Sequence, residues 1–282
     1  YGERQMFPKE AEVVVIGGGV VGSATAYFLA QAGKKVVLVD KGYKAGEASA
    51  ANAAFVWSIT RKPGIDIRLA MHSFSIHRQL QDELDKDFEY VHNGGLLVID
   101  DEGQFPFVEA HLNDRAEDGY PLEMIDAKQV FELEPLLNRE RILGAVFSAD
   151  DGTTNPIFLV VSLNLQAQKL GAKIFHHTEV KGIEVQGGKV KGVMTDKGTI
   201  QTDTVVNAAG SWGCFIGEMV GLKVPITPFQ LAMLVTEQLP PCISHPIMGA
   251  SYMVEEDTGK TGGLGCGLII SQQAAGNLLI GA

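Results

Sequence analysis

The sequence predicts an α/β protein in two parts: a parallel sheet opened by a βαβ unit, and a second part on an antiparallel sheet with helices. Three observations predict it. Glu12–Gly17 (EVVVIG) and Lys35–Asp40 (KVVLVD) are β-branched runs of the kind buried inside a parallel sheet. Residues 20–33 between them read as a helix of small and apolar residues closing at Gly33, so the crossover is right-handed. Beyond residue 86 the texture changes to short strands separated by glycine turns, and α/β patterning returns near Asn155–Pro156.

The remaining elements follow in order. An amphipathic helix is expected over 65–86, with Ile65, Leu69, Phe74, Ile76 and Leu80 facing a core. Tyr90–Asp100 (YVHNGGLLVID) reads as strand, Asn-Gly-Gly turn, strand. Helical pieces near 104–118 and 126–133 precede a strand at Ile142–Ala149. Residues 156–170 form a buried helix ended by Gly171, followed by a strand at Ala172–Phe175. Residues 179–202 form a three-stranded meander, and Thr204–Ala209 is a buried parallel strand leading into a helix from about 211 to 221. Strands are then expected near 226–236, 247–254, 264–270 and 277–281. These elements assign residues 1–86 and 150–223 to the first part, and 87–149 and 224–282 to the second.

Composition narrows the function classes. The 282 residues are 45% apolar and 20% charged, the balance of a globular protein with a core. No run approaches the roughly 20 apolar residues of a membrane span, and YGERQMFPKE at the start lacks the apolar stretch of a signal peptide. The net charge of −11 argues against nucleic acid as a partner. Three cysteines without CxxC spacing, and histidines without ligand spacing, predict a reducing, cytoplasmic compartment and no metal.

Gly17-Gly18-Gly19-Val20-Val21-Gly22 is a GxGxxG turn in a strand-to-helix setting. Gly17 permits the tight turn, Gly19 lets backbone approach a pyrophosphate, and Gly22 lets the helix pack close to the sheet. Phosphates then rest on the unpaired N–H groups of the helix start. Asp40, 18 residues past Gly22, stands where a ribose-binding acid belongs. Together these residues form a Rossmann-like dinucleotide-binding unit. Lys41–Phe55 (KGYKAGEASAANAAF) supplies small residues where a nicotinamide domain starts its next helix, and such a loop can wrap a bulkier ligand.

At this point the sequence resembles the D-amino-acid oxidase (DAO) superfamily of flavoproteins. The likeness rests on VVVIGGGVVGSATAYFLA, on Ala48-Ser49 and Asn52-Ala53-Ala54, on His92–Gly95, and on TVVNAAGSW at Thr204–Trp212. Within it the chain is similar to glycine oxidases, sarcosine oxidase β subunits and β subunits of dye-linked proline dehydrogenases. The resemblance implies FAD, held covalently or not. It puts contacts on Val20 and Val21 at the helix start, on Asp40 and Lys41 at the ribose, and on Ala48 and Ser49 near the pyrophosphate. Ala53, Ala54 and Phe55 would lie beside the flavin, and the Val180 backbone would meet the adenine. Ala209 and Gly210 would close over the cofactor with Trp212 as neighbour, although core packing accounts for Trp212 equally well.

The resemblance also places an aromatic hydroxyl on an antiparallel strand over the flavin. Tyr252 in SYMVEE matches it and would bind a substrate carboxylate, the plainer reading being an ordinary strand tyrosine. Trp57, Thr60 and Arg61 follow the flavin-side loop, where Arg61 could steer anions at an entrance or be a plain surface arginine. Related chains continue past the strand matched by Asn277–Ala282 with a carboxylate-binding arginine and a glycine-rich flavin segment. The C-terminal part of the fold is therefore expected outside these residues or on another polypeptide. Gly262–Gly267 (GGLGCG) replaces an ordinary hairpin and reads as an interface, a second redox site or a surface loop.

The resemblance thus implies oxidation of a small amino acid or secondary amine, such as glycine, sarcosine, proline or a D-amino acid. A hydride would pass to flavin N5 and leave an imine, with oxygen or an acceptor subunit taking the electrons in a homo- or hetero-oligomer. The alternatives are FAD-dependent oxidation of a 2-hydroxy acid or alcohol, a nicotinamide dehydrogenase, and a non-catalytic FAD-binding subunit.

Overall fold

The strands Val13–Ile16 and Val36–Val39 are buried at every residue because they lie side by side inside a parallel sheet. The computed structural model describes residues 6–43, 46–258 and 267–281. The chain divides into two units: Tyr1–Ala51 with Leu84–Phe88 and Pro156–Gln230, and Asn52–Glu83 with Glu89–Asn155 and Leu231–Ala282.

In the first unit the four parallel strands run in the order Val205–Asn207, Val13–Ile16, Val36–Val39, Lys173–Phe175. Val14, Ile16, Val37 and Val39 share one face and pack on Val180, Ile183, Val193 and Ile200 of the antiparallel meander Val180–Gln186, Lys189–Thr195, Gly198–Gln201. Alternation sends Val13, Val15, Val36 and Leu38 to the other face. The helices Val20–Gln31 and Pro156–Lys169 pack on each other, with Gly22, Ser23 and Ala26 buried on the first and Val160, Leu163 and Ala167 on the second. These elements match the sequence reading of the same segments, except that the last strand is confined to Val205–Asn207 and none of its residues is buried.

The second unit carries a seven-stranded sheet. Its order is Met233–Gln238, Asn277–Gly281, Ile269–Gln272, Ile247–Gly249, Gly95–Ile99, Gly144–Ser148, Glu123–Asp126. Its faces alternate: Leu97, Ile99, Val146 and Met248 enter one cluster with Trp57, Ile59 and Val108, whereas Leu96, Val98, Ala145 and Ile247 enter another with Val130. The helix Phe105–Glu117 serves the first cluster through Val108, and Ala127–Leu133 serves the second through Val130. The short helix starts in a reciprocal cap between Asp126 and Gln129.

Several expectations change. The sheet is not wholly antiparallel, since Ile247–Gly249 runs parallel to Gly95–Ile99. Tyr90–Asp100 is no hairpin: Val91 makes an isolated bridge to Thr153, and only Gly95–Ile99 is a strand. Its glycines serve close packing, because a Cβ on Gly95 would lie 2.8 Å from the Trp57 ring and 2.9 Å from Asp151 Cβ. The helix Ile65–Glu83 buries Ile67, Phe74 and Leu80, whereas Ile65 and Leu69 are exposed. Both lie two residues from Ile67, about 200° around the helix. Strand is confined to Met233–Gln238 and Ile247–Gly249 where longer runs were expected, and residues 264–266 lie outside the described residues.

Residues 52–83, expected with the first part, cluster with the second. The pairing of Phe55–Val56 with Gly152–Thr153 draws the start of that segment there.

Candidate functional site

The strand Val13–Ile16 has its sequence neighbour, Val36–Val39, on one side and Val205–Asn207 on the other. Strand order therefore reverses at its carboxyl end, the place where open parallel sheets bind ligands. Gly17 leaves that end at φ +112°, donates its N–H to Val39 O at 2.9 Å, and lies against the backbone of Ala208 and Ala209. A Cβ on Gly17 would overlap the Ala208 carbonyl.

The helix from Val20 has Gly19 as its N-cap, without a side-chain cap and without an acid in its first turn. Val21 is 65% exposed there. An acid-free helix start with backbone packed against backbone suits a pyrophosphate. Ser49 Oγ accepts from Val20 N at 3.0 Å, which brings the Glu47–Ser49 turn, with Ala48 exposed, to the same helix end.

Asp40 closes the other side. Its Oδ2 accepts from Gly18 N at 2.5 Å and its Oδ1 from Gly42 N at 2.7 Å, so the carboxylate ties the glycine turn to the exit of the second strand. Lys41 Nζ sits 3.5 Å from the centroid of the Trp212 ring, beside the turn Gly210–Trp212 that follows Ala209. Of the sequence-predicted residues, Gly17, Gly19, Val20, Val21, Gly22, Asp40, Lys41, Ala48, Ser49, Ala209, Gly210 and Trp212 thus gather around one strand end and one helix start. Val180 begins the meander with its side chain in the core.

In the second unit, Ala54 is buried with φ +62°, a left-handed backbone unusual for alanine. Ser271 Oγ donates to Ala53 O at 3.0 Å, Thr154 N to Ala54 O at 2.9 Å, and Phe55 pairs with Thr153. Tyr252 is not on a strand. It lies in the helix Ser251–Thr258, which begins where Ala250 N bonds Val98 O and turns to bury Met253 beside Trp57. The sheet strand that follows, Ile269–Gln272, bears no tyrosine. Arg61 is half-exposed with its guanidinium 4.0 Å from Asp66, and Trp57 Nε1 bonds Thr60 Oγ1 at 3.1 Å. Of Gly262–Gly267, only Gly267 falls within the described residues.

Sequence reasoning missed Asp151 and Arg115, both fully buried. Asp151 accepts from Ser58 N at 2.9 Å, Ser58 Oγ at 2.6 Å and Ser148 Oγ at 2.8 Å. Burial raises its carboxyl above the usual range against the pull of these hydrogen bonds. Burial likewise lowers Arg115, opposed mainly by the charge of Asp151. A signal was present in the helix pattern: Arg115 stands seven residues past Val108, on the buried stripe of its helix.

A parallel sheet with a glycine turn at its switch point, an acid ending the neighbouring strand and an acid-free helix start defines a dinucleotide-binding protein. Residues 12–282 match the family described as FAD dependent oxidoreductase (DAO), and the chain belongs to it. Its cofactor is therefore FAD, and the DAO resemblance drawn from the motifs is borne out.

Among curated relatives, mouse (Mus musculus) mitochondrial sarcosine dehydrogenase is 29% identical over 245 residues, covering 84% of this chain and 27% of that protein. Glycine oxidase of Bacillus licheniformis is 32% identical over 228 residues, covering 78% of this chain and 59% of that protein. The crystal structure of L-proline dehydrogenase from P. horikoshii superposes with a TM-score of 0.81 at 25% identity, over 97% of this chain and 70% of that one. The chain thus spans 27% of the sarcosine dehydrogenase and 59% of the glycine oxidase. Among the described residues no helix is long and apolar enough to cross a membrane, and no group of three or more His, Cys, Asp and Glu residues could hold a metal ion.

Proposed function

We propose that the protein to which this chain belongs oxidises a small amino acid or secondary amine, of the glycine, sarcosine, proline or D-amino-acid type. The observation that carries the reading is the glycine turn at the switch point, tied by Asp40 and Ser49, in a chain whose relatives are named for sarcosine and glycine. FAD, when bound, supplies a two-electron acceptor for the carbon next to the amine nitrogen.

The chain's own residues bind and orient. Val20 and Val21 N–H would face the pyrophosphate, with the Ser49 hydroxyl moving between Val20 N and a phosphate oxygen. Asp40 would exchange backbone donors for ribose hydroxyls, and Lys41 would hold Trp212 beside Ala209-Gly210. We assign Ala53–Phe55 to the flavin. Tyr252, on a helix rather than the expected strand, would bind the substrate carboxylate, with Arg61 at the entrance. Oxygen or an acceptor subunit would take the electrons, in an oligomer.

The test is a visible spectrum of the purified protein, then anaerobic titration with amino acids, N-methylamino acids and 2-hydroxy acids. Flavin bands bleached by amines but not by hydroxy acids are expected. Bleaching by hydroxy acids alone would overturn the substrate class, and bound FAD reduced by nothing on the panel would point to a non-catalytic subunit.

A further inference from the structure

The segment Ser58–Ile59 is gripped by two buried ions of opposite sign that make no ion pair with each other. On one side, Asp151 Oδ2 accepts from Ser58 N at 2.9 Å and Ile59 N at 3.3 Å, while Oδ1 accepts from the Ser58 and Ser148 hydroxyls. On the other, Arg115 Nη1 donates to Ser58 O at 2.7 Å, Ile59 O at 3.3 Å and Arg61 O at 3.4 Å. His111 Nε2 lies 2.6 Å from the same Ile59 oxygen.

The peptide between Ser58 and Ile59 thus presents its N–H to an anion and its C=O to a cation, so both charges act along its dipole. Asp151 is 0% and Arg115 1% exposed, and Arg115 Nε is buried with no hydrogen-bond partner among the described residues. Contact between the ions does not offset their desolvation, which makes the pair a poor device for stability alone. As a device for fixing a backbone it is strong, because moving the peptide strands both charges.

What it fixes continues back to Ala53. Gly152 and Thr153, the residues after Asp151, pair with Val56 and Phe55. Thr154 N bonds Ala54 O, and Ser271 Oγ bonds Ala53 O. The left-handed Ala54 lies inside this run, and a strained residue persists only where its surroundings over-determine it.

We propose that Asp151 and Arg115 are positioning residues: together they clamp the Ser58–Ile59 peptide and so hold the strained Ala54 turn in the form that presents Ala53–Phe55 to the flavin. The proposal rests on the assignment of Ala53–Phe55 to the flavin made above.

The test uses the full-length holoprotein and Asp151→Asn, Arg115→Met, Arg115→Lys and Phe55→Ala. Amide hydrogen exchange over residues 54–61 is read without FAD, and the flavin spectrum, reduction potential, kcat and KM are read with it. Asp151→Asn and Arg115→Met should accelerate exchange across 54–61, shift the flavin bands and potential, and lower kcat by about 100-fold with little change in KM. Arg115→Lys, which keeps the positive charge on a single donor nitrogen, should recover part of each.

If Asp151→Asn, the near-isosteric change, lowers only Tm and leaves exchange, spectrum, potential and kcat as in the wild type, the positioning role is wrong. If exchange accelerates but Phe55→Ala leaves the flavin spectrum untouched, the clamp exists and the assignment of the loop to the flavin is what fails. Either result overturns the proposal, and the exchange data say which part has failed.

Discussion

Gly22→Ala probes how closely the first helix must approach the first strand. A Cβ at Gly22 would stand 3.0 Å from the Gly17 carbonyl carbon, overlap its oxygen, and touch Ala208 Cβ at 3.4 Å. Carbon and oxygen pack no closer than about 3.3 Å, so clearing the overlapped oxygen requires the helix start to withdraw by roughly 1.5 Å. Both partners at the worst contact are backbone, so no side-chain rotation relieves it. Overpacking of this kind costs about 3 kcal/mol, and the better helix propensity of alanine returns about 1.

A net loss of about 2 kcal/mol lowers Tm by roughly 5 °C for a protein of this size. The same withdrawal carries the Val20 and Val21 N–H groups away from the pyrophosphate, and a loss of about 1.4 kcal/mol there weakens FAD tenfold. Differential scanning fluorimetry on FAD-free protein and a flavin-fluorescence titration measure the two effects separately. Gly46→Ala is the control, since among the described residues its Cβ would meet only Tyr43 O at 3.4 Å. A Gly22→Ala protein that melts with the wild type and binds FAD within about twofold of it would refute the close-packing argument.

Other consequences can be measured the same way. Ser49→Ala removes the acceptor on Val20 N and should weaken FAD by about fivefold, near 1 kcal/mol, with almost no change in the FAD-free Tm, as read by calorimetric titration. Glu134→Ala should cost about 3 kcal/mol in urea unfolding without altering FAD affinity, because the buried Glu134 Oε1 accepts from Ser244 N, His245 N and His245 Nδ1. Burial raises Asp151, so the native state holds that proton more tightly than the unfolded chain does. The stability advantage of wild type over Asp151→Asn should therefore shrink as pH rises above the ordinary carboxyl value of 3.8. A difference that grows with pH would show that the hydrogen bonds from Ser58 and Ser148 outweigh burial.

Much of the first unit was legible because its signals are local. A buried parallel strand must be apolar throughout, so Val13–Ile16 and Val36–Val39 announce themselves, and the turn between strand and helix demands glycine at fixed offsets. Gly17 and Asp40 were therefore found without coordinates, whereas Ser49 came only from the family resemblance. The second unit was read less well because its patterns are degenerate. Glycines at 94 and 95 resemble a hairpin turn, yet Gly95 makes room for Trp57 and Asp151. The run SYMVEE fits strand or helix, and burial of Met253 beside Trp57 accompanies the helix.

The sequence by itself determined the dinucleotide turn and its acid, since each follows from neighbours in the chain and the stereochemistry of a few residues, and the family resemblance implied the FAD contacts of the loop after them. Tertiary structure alone decided where the charges go. Asp151 and Arg115 lie 92 and 56 residues from Ile59, and only the folded sheet brings an anion and a cation to opposite sides of one peptide. No periodicity encodes that arrangement, because the field on a backbone group depends on which distant side chains are desolvated beside it.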